Sequence, residues 1–218
     1  MTRNTRLTLA MILVLILAMI VVIAVNRNTN RPAASGAPVD PAVLVRDDSH
    51  RLSTAADGKV TLVEFLDFEC EACGAVYPSI TEILDTYQDR ITFVVRYFPI
   101  ASHPNADLAA RAAQAAAEQG RFPEMYATLF ENQAQWGHQS TAQTDRFVGY
   151  ARDLGLDVDR FRQDLEAPAT AQRVAADRAD GETVGVRGTP TFFLNGRELT
   201  GVRTQSDMVA AIDAALAQ

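Results

Sequence analysis

The chain has two cysteines in 218 residues, and they stand together as Cys70-Glu71-Ala72-Cys73. Joined to each other they would close a ring of four residues, and by loop entropy so small a ring stabilises a fold by only about 2 kcal/mol before strain. A structural staple is therefore a poor account of them. Two thiols at this spacing share one face of a first helical turn, close enough to form an S–S bond without backbone movement. Residues 60–67 before them read as a strand, and residues 77–84 onward read as a helix. The first thiol then sits at a helix head, where free N–H groups and the positive dipole end favour a thiolate. Redox exchange is the use that fits best. Two others stay open: a zinc site, for which His50, His103 and His138 are isolated rather than in ligand spacing, and a pair of inert buried thiols.

Hydrophobic residues make up 48% of the chain, enough for a sizeable core and against disorder. Every acid lies after residue 39, so residues 27–218 carry 18 basic against 27 acidic side chains, a net of -9. That balance argues against nucleic acid as a partner.

In chain order, residues 1–6 are short, polar and basic and read as a cytoplasmic N-terminus. Residues 7–25 are apolar apart from Thr8 and are just long enough to cross a bilayer at about 1.5 Å per residue. A cleaved signal peptide is the rival reading, but no A-x-A-like site follows closely. Arg3 and Arg6 face Arg27 and Arg31 across the span, nearly a tie by the positive-inside rule. The brief polar start tips the expectation to a single-pass anchor in the cell membrane, N-terminus inside and the folded domain extracytoplasmic. Residues 26–42, rich in Asn, Pro, Ala, Ser and Gly, read as a flexible linker. Val43-Leu44-Val45 reads as a short edge strand opening a domain over 43–218.

Alternation along residues 60–67 places Glu64 on the face of Val60, Leu62 and Leu66. Either the strand is half exposed, or a carboxyl is buried beneath the cysteines with its pKa raised, able to exchange a proton with Cys73. Further strands are expected over 91–98 and 191–194, the latter turning at Asn195-Gly196 into a hairpin. Between them, residues 102–184 show only helical patterns, a helical insertion in an α/β domain. Its first helix is expected to open at Ser102-His103-Pro104, with His103 a surface or capping residue. Phe122, Met125, Tyr126, Leu129 and Phe130 form a core stripe, while Trp136 fits core or rim. Thr204 and Asp207 are in capping-box spacing ahead of a last helix.

Cys70-Glu71-Ala72-Cys73, Glu64 six residues earlier, and Gly188-Thr189-Pro190-Thr191-Phe192-Phe193-Leu194-Asn195-Gly196 together resemble the DsbA-like thioredoxin-fold family of exported disulfide oxidoreductases, in a membrane-anchored bacterial form. The likeness covers about residues 43–218. It implies an α/β thioredoxin-like fold with an all-helical insertion and an enzyme that introduces disulfide bonds into exported proteins. It also implies a cis peptide at Thr189-Pro190 against Cys70, with Thr189 and Gly188 pairing with an incoming extended chain. Cys70 would be the solvent-facing nucleophile, Cys73 the buried resolving thiol and Glu64 the acid that manages its proton. The partners implied are reduced or unfolded exported proteins and a quinone-linked membrane oxidase; no cofactor is implied. Glu71-Ala72 departs from the Pro- or His-containing dipeptides common in the family's strong oxidants. Negative charge at Asp67, Glu69 and Glu71 is expected to raise the Cys70 pKa and weaken its oxidising power. A reductase or isomerase of the same fold, and a tethered binding module with incidental cysteines, are the competing readings.

Overall fold

The computed structural model describes residues 11–12, 15–21, 33–35, 37–202 and 204–218. In chain order its elements are β1 (Ala33–Ser35), α1 (Pro41–Leu44), β2 (His50–Ser53), β3 (Thr61–Leu66), α2 (Glu71–Tyr87), β4 (Thr92–Tyr97), α3 (Ala106–Ala117), α4 (Phe122–Glu131), α5 (Gln133–Trp136), α6 (Thr144–Asp153), α7 (Val158–Glu166), α8 (Pro168–Thr183), β5 (Thr191–Leu194), β6 (Arg197–Thr200) and α9 (Gln205–Leu216). Among the described residues the strands form one mixed sheet in the order β1-β6-β5-β3-β4-β2. This is a thioredoxin-like α/β fold, with the helical block α3 to α8 carried between β4 and β5.

β3 and β4 pair in parallel, Glu64 opposite Val95 and Leu66 opposite Tyr97, whereas β5 runs antiparallel on the other side of β3 with Phe192 opposite Glu64. A parallel pair needs a crossover, and α2 supplies it. Alternation sorts the two faces. Val60, Leu62 and Leu66 join Phe93, Val95, Tyr97 and Phe192 in the larger core, with α2, α9 and the insertion helices. Val63, Phe65, Val94 and Phe193 form the smaller core with Leu44, Phe98 and Val186. α8 closes this second face so tightly that a Cβ at Gly181 would meet the Phe98 ring at 2.7 Å. The Asn195-Gly196 hairpin forms with both residues at positive φ, and the capping box at Thr204 and Asp207 starts α9. Trp136 resolves as core: it is fully buried and donates to the Leu129 carbonyl at 3.0 Å.

Four local expectations change. Val43-Leu44-Val45 is no edge strand: Pro41–Leu44 is a helical turn capped by the Asp40 side chain on Ala42 N–H at 2.9 Å. The carbonyls of Val43 and Leu44 go to Arg96 instead of a neighbouring strand. Inside the stretch read as linker, Ala33–Ser35 pairs with β6, and Val39 N–H donates to the Gly196 carbonyl at 2.7 Å. Edge pairing of this kind is made by backbone alone and leaves no side-chain pattern to read. β2 adds an unforeseen strand beyond β4. Finally, α3 starts at Ala106, so His103 lies in the preceding loop. Most of the apolar run 7–25 lies outside the described residues. Of it, residues 15–21 are helical with Leu15, Leu17, Met19 and Ile20 exposed, and among the described residues no helix is long and apolar enough to cross a membrane.

A buried ion network ties the sheet to α8 and to the segment after α1. The Arg96 side chain, fully buried on β4, bonds Asp177 at 2.6 Å, pairs with Asp180 and donates to the Val43 and Leu44 carbonyls; Arg46 shares Asp180 and Arg173 shares Asp177. Breaking such a pair from one side strands a charge in low dielectric. Arg96→Met is expected to cost about 3 kcal/mol of unfolding free energy. Arg178→Met, which removes an exposed pair with Glu182 and a long 3.4 Å bond to the Pro99 carbonyl, is expected to cost under about 1 kcal/mol. Urea midpoints of the two variants check the contrast, and equal losses would refute it.

Candidate active site

β3 and β4 run in parallel, so their C-terminal ends open on one edge of the sheet, and the site is built there. After Leu66 the chain makes a tight turn: the Asp67 Oδ1 accepts from Glu69 N–H at 2.8 Å, and Cys70 N–H donates to the Asp67 carbonyl at 3.1 Å. Phe68 anchors the turn in an aromatic cluster with Tyr97, Tyr126 and Phe130. Cys70 is the N-cap residue of α2, and Cys73 lies in its first turn. Cys70 is 9% exposed and Cys73 is 0% exposed, and both are free thiols. The nucleophile position expected to face solvent thus shows only a narrow surface.

The two sulfurs are pulled in opposite directions. The Cys70 thiol is brought down to about 5, first by its hydrogen bond with Cys73; burial opposes this, while Thr189 and the backbone N–H groups of Cys73 and Ala72 add to it. Burial comes first in driving Cys73 far upward, followed by its bond to Cys70 and the charge of Glu64. Glu64 itself, 1% exposed in the middle of β3, is raised to about 8 by desolvation. Its Oε2 has no hydrogen-bond partner. The anomalous strand carboxylate is therefore a buried acid beneath the cysteines, and the half-exposed reading falls.

The second part of the site comes from the loop before β5. The Thr189-Pro190 peptide is cis. The Cys70 thiol lies 3.3 Å from the Thr189 carbonyl, to which it donates when protonated. The Gly188 carbonyl is occupied by the Thr191 hydroxyl at 2.8 Å, while the Thr189 hydroxyl is buried and unpartnered. Beside the cysteines runs a groove of about 500 Å³ lined by Ala72, Val76, Pro190, Phe192, Leu199 and Met208. Cys70, Cys73, Thr189 and Pro190 are brought together, with Glu64 behind them and Gly188 one residue back from the contact.

Several residues at the site were not legible as functional. Gln133, at the start of α5, donates from Nε2 to the carbonyls of Phe68 at 2.7 Å and Cys70 at 2.9 Å, so the insertion grips the cysteine loop. Gly74 makes room for it, because a Cβ there would stand 2.2 Å from Gln133 Oε1. His103 was read as a surface or capping residue. Instead its Nδ1 is 2.7 Å from Asp67 Oδ2, which also accepts from Ile100 N–H at 2.9 Å. Burial acts on His103 first, downward, but the bond and charge of Asp67 with the charges of Cys70 and Glu69 carry its pKa above the ordinary imidazole value. Glu69 accepts from Asn105 N–H and His138 N–H, both at 2.6 Å. Asp67 and Glu69 thus hold loops together, and the unshielded acidic flank expected around Cys70 is reduced to Glu71, itself 2.8 Å from His138 Nε2. The one available signal was topological: a loop leaving β4 must lie beside a loop leaving its parallel neighbour β3.

The fold has clear counterparts. In solved structures, the chain is similar to a thioredoxin-like oxidoreductase from Silicibacter pomeroyi (29% identity, TM-score 0.69, 83% of this chain and 99% of that one). It shares its fold with BdbD from Bacillus subtilis (20%, 0.68, 86% and 97%) and the thiol-disulfide exchange protein alpha-DsbA2 from Wolbachia pipientis (18%, 0.67, 80% and 90%). Among curated relatives it is 35% identical over 188 residues to a protein named Na(+)/H(+) antiporter NhaA from Herminiimonas arsenicoxydans and 38% identical over 185 residues to one named Na(+)/H(+) antiporter NhaA 3 from Salinispora tropica. The matches take in 86% and 84% of this chain but only 28% and 27% of those proteins, so the chain spans little more than a quarter of their length. Residues 51–214 match the family model described as Thioredoxin, and the chain belongs to the thioredoxin family, with DsbA-like proteins as its structural neighbours.

Proposed function

We propose that the protein is a membrane-tethered thiol oxidase that introduces disulfide bonds into exported proteins through Cys70 and Cys73. The observation that carries this reading is the opposite pull on the two sulfurs: an outer thiol lowered to about 5 and an inner one raised by burial. A pair whose open form holds a comfortable thiolate gives up its disulfide readily, which is what makes an oxidant. The acidic flank that pointed toward a weaker oxidant or a reductase is largely occupied by His103, His138 and backbone N–H groups.

In this reading a substrate thiolate attacks the Cys70 sulfur of the closed pair. The S–S bond breaks, and Cys73 leaves with the electron pair. A buried thiolate at Cys73 is unfavourable, and the neutral Glu64 carboxyl beneath it gives the proton. The second substrate thiol, losing its own proton, then attacks the substrate sulfur of the mixed disulfide and expels Cys70 as thiolate. The substrate gains one disulfide, and the pair has accepted two electrons. Thr189 and Pro190 supply the surface against which an extended substrate lies, with Gly188 allowing its approach, and the groove, whose lining mixes apolar side chains with Ser79, Glu198 and Gln205, continues that surface.

Residues 7–25 serve as the anchor, N-terminus inside, with the stretch between them and β1 as the tether and the domain outside the cytoplasm. Supporting this are the apolar run, broken only by Thr8, and the exposed Leu15, Leu17, Met19 and Ile20 in its helical part, side chains that need an apolar surrounding. The recurrence of the domain within much longer proteins named as ion antiporters also fits residence at a membrane. Recharging then falls to a quinone-linked membrane oxidase.

Two tests follow. In Cys73→Ala the lone Cys70 thiolate attacks a disulfide of an exported protein and expels one of its sulfurs as thiolate, and no inner thiol remains to displace the adduct. The variant should therefore retain exported proteins on Cys70 until reductant releases them; a variant that captures none would sink the oxidase. For Glu64 the folded value near 8 exceeds its ordinary 4.5, so its contribution to stability is complete below pH 4.5 and is lost as pH rises through 8. Glu64→Gln never ionises. Its reduced form should therefore gain on the wild type by about 4 kcal/mol between pH 5 and pH 9 in urea unfolding, while its disulfide reacts with substrate thiols about tenfold or more slowly. A pH-independent stability difference would show that Glu64 is not held protonated.

A further inference from the structure

The loop between β4 and α3 brings an imidazole to the edge of the cysteine site, and nothing in the thiol chemistry above uses it. His103 is positioned with unusual completeness. Its backbone N–H closes a turn on the Ile100 carbonyl at 2.9 Å, and its Nδ1 meets Asp67 Oδ2 at 2.7 Å. The Asp67 carboxylate is itself pinned by Glu69 N–H and Ile100 N–H at 2.8 and 2.9 Å. Asp67 is buried and His103 keeps 18% of its side chain exposed, so the ring is fixed in place yet open to protons from solvent. With Nδ1–H given to the carboxylate, Nε2 is the nitrogen that gains or loses a proton.

We propose that His103, oriented by Asp67, is the cationic partner of the Cys70 thiolate, so that opening the Cys70-Cys73 disulfide and protonating this imidazole favour each other. The proposal rests on the reading of Cys70 and Cys73 as a redox pair. The charged and titratable groups facing His103 come from three segments. The turn after β3 contributes Asp67 and Glu69, the head of α2 contributes Cys70 and, through His138, Glu71, and the loop after α5 contributes His138, its ring edge-on at 5.4 Å. Asp67, Glu69 and Glu71 form and break no bond when the cysteines open or close. Cys70 alone changes charge between the two states, neutral in the disulfide and negative as thiolate. An imidazolium close enough to feel that charge must stabilise it in return, since coupling between two sites is reciprocal. A histidine that only fastened its loop to Asp67 would titrate alike in both redox states.

The test uses the full-length chain, whose three histidines are His50, His103 and His138. Ring-nitrogen NMR shifts of His103 are followed against pH in the oxidised and the reduced wild type. We expect His103 to bind its proton about threefold to tenfold more tightly in the reduced protein, and His50, stacked on Phe122 away from the loop, to titrate alike in both. Identical His103 curves would overturn the proposal. In a second arm His103→Gln keeps a donor for Asp67 but no titrating charge. Its Cys70, read by thiolate absorbance, should be about a tenfold weaker acid, and its equilibrium with glutathione should move about tenfold toward the disulfide. A folded variant with unchanged acidity and equilibrium would equally overturn it. If the wild type never exchanges with glutathione, the redox reading fails and this proposal with it; exchange without His103 linkage sinks this proposal alone.

Discussion

Everything at this site depends on the parallel pairing of β3 with β4. Antiparallel neighbours would send their following loops to opposite ends of the sheet. A parallel pair delivers both to one edge, and here the two loops interlock through Asp67, which accepts from its own turn and meets Ile100 and His103 beyond β4, and through Glu69, which accepts from Asn105 N–H. The crossover helix α2 must then start at that same edge. Its first residues are the cysteine pair, so the helix head, with its unpaired N–H groups, is aimed at the sulfurs by topology rather than by any contact made there.

The helical insertion completes the arrangement from outside the sheet. Gln133 takes the Phe68 and Cys70 carbonyls, and Glu69 takes the N–H groups of Asn105 and His138. The cysteine loop is thus held from β4, from α5 and from the turn before β5, and its geometry is over-determined. Such fixing matters for a thiol whose acidity is set by hydrogen bonds, because each bond must already be in place when the charge appears.

What could be read from the sequence was whatever is local. The β3 alternation that put Glu64 on the core face, the Asn195-Gly196 turn and the Thr204/Asp207 capping box all hold, because each depends on neighbours within a few residues. The helical insertion was legible as an absence of strand pattern. The misreadings share a different cause. Asp67 and Glu69 stood in the sequence only as negative charge near Cys70, but Asp67 meets His103, 36 positions on, and Glu69 accepts from Asn105 and His138, 36 and 69 positions on; Arg96, too, finds Asp177 at a separation of 81. No periodicity encodes such pairs. The edge strands β1 and β2 escaped for a second reason: an edge is joined through backbone groups every residue carries.

Glu64 shows where stability and chemistry part. The central strand of a sheet buried on both faces is the most expensive place in the fold for a carboxyl, and the Oε2 atom finds no partner to offset the cost. Leu or Val there would extend the run of Leu62 and Leu66 without penalty. A hydrogen-bonded carboxylate would also be cheaper, but it would be ionised at neutral pH and would push Cys73 further from releasing charge. Only an unpartnered, dry acid keeps its proton to about pH 8 and has it available when the inner sulfur must leave. The same dryness that lifts Glu64 lifts Cys73, so proton donor and acceptor move together, and the fold accepts a destabilising residue at its centre in order to keep them matched.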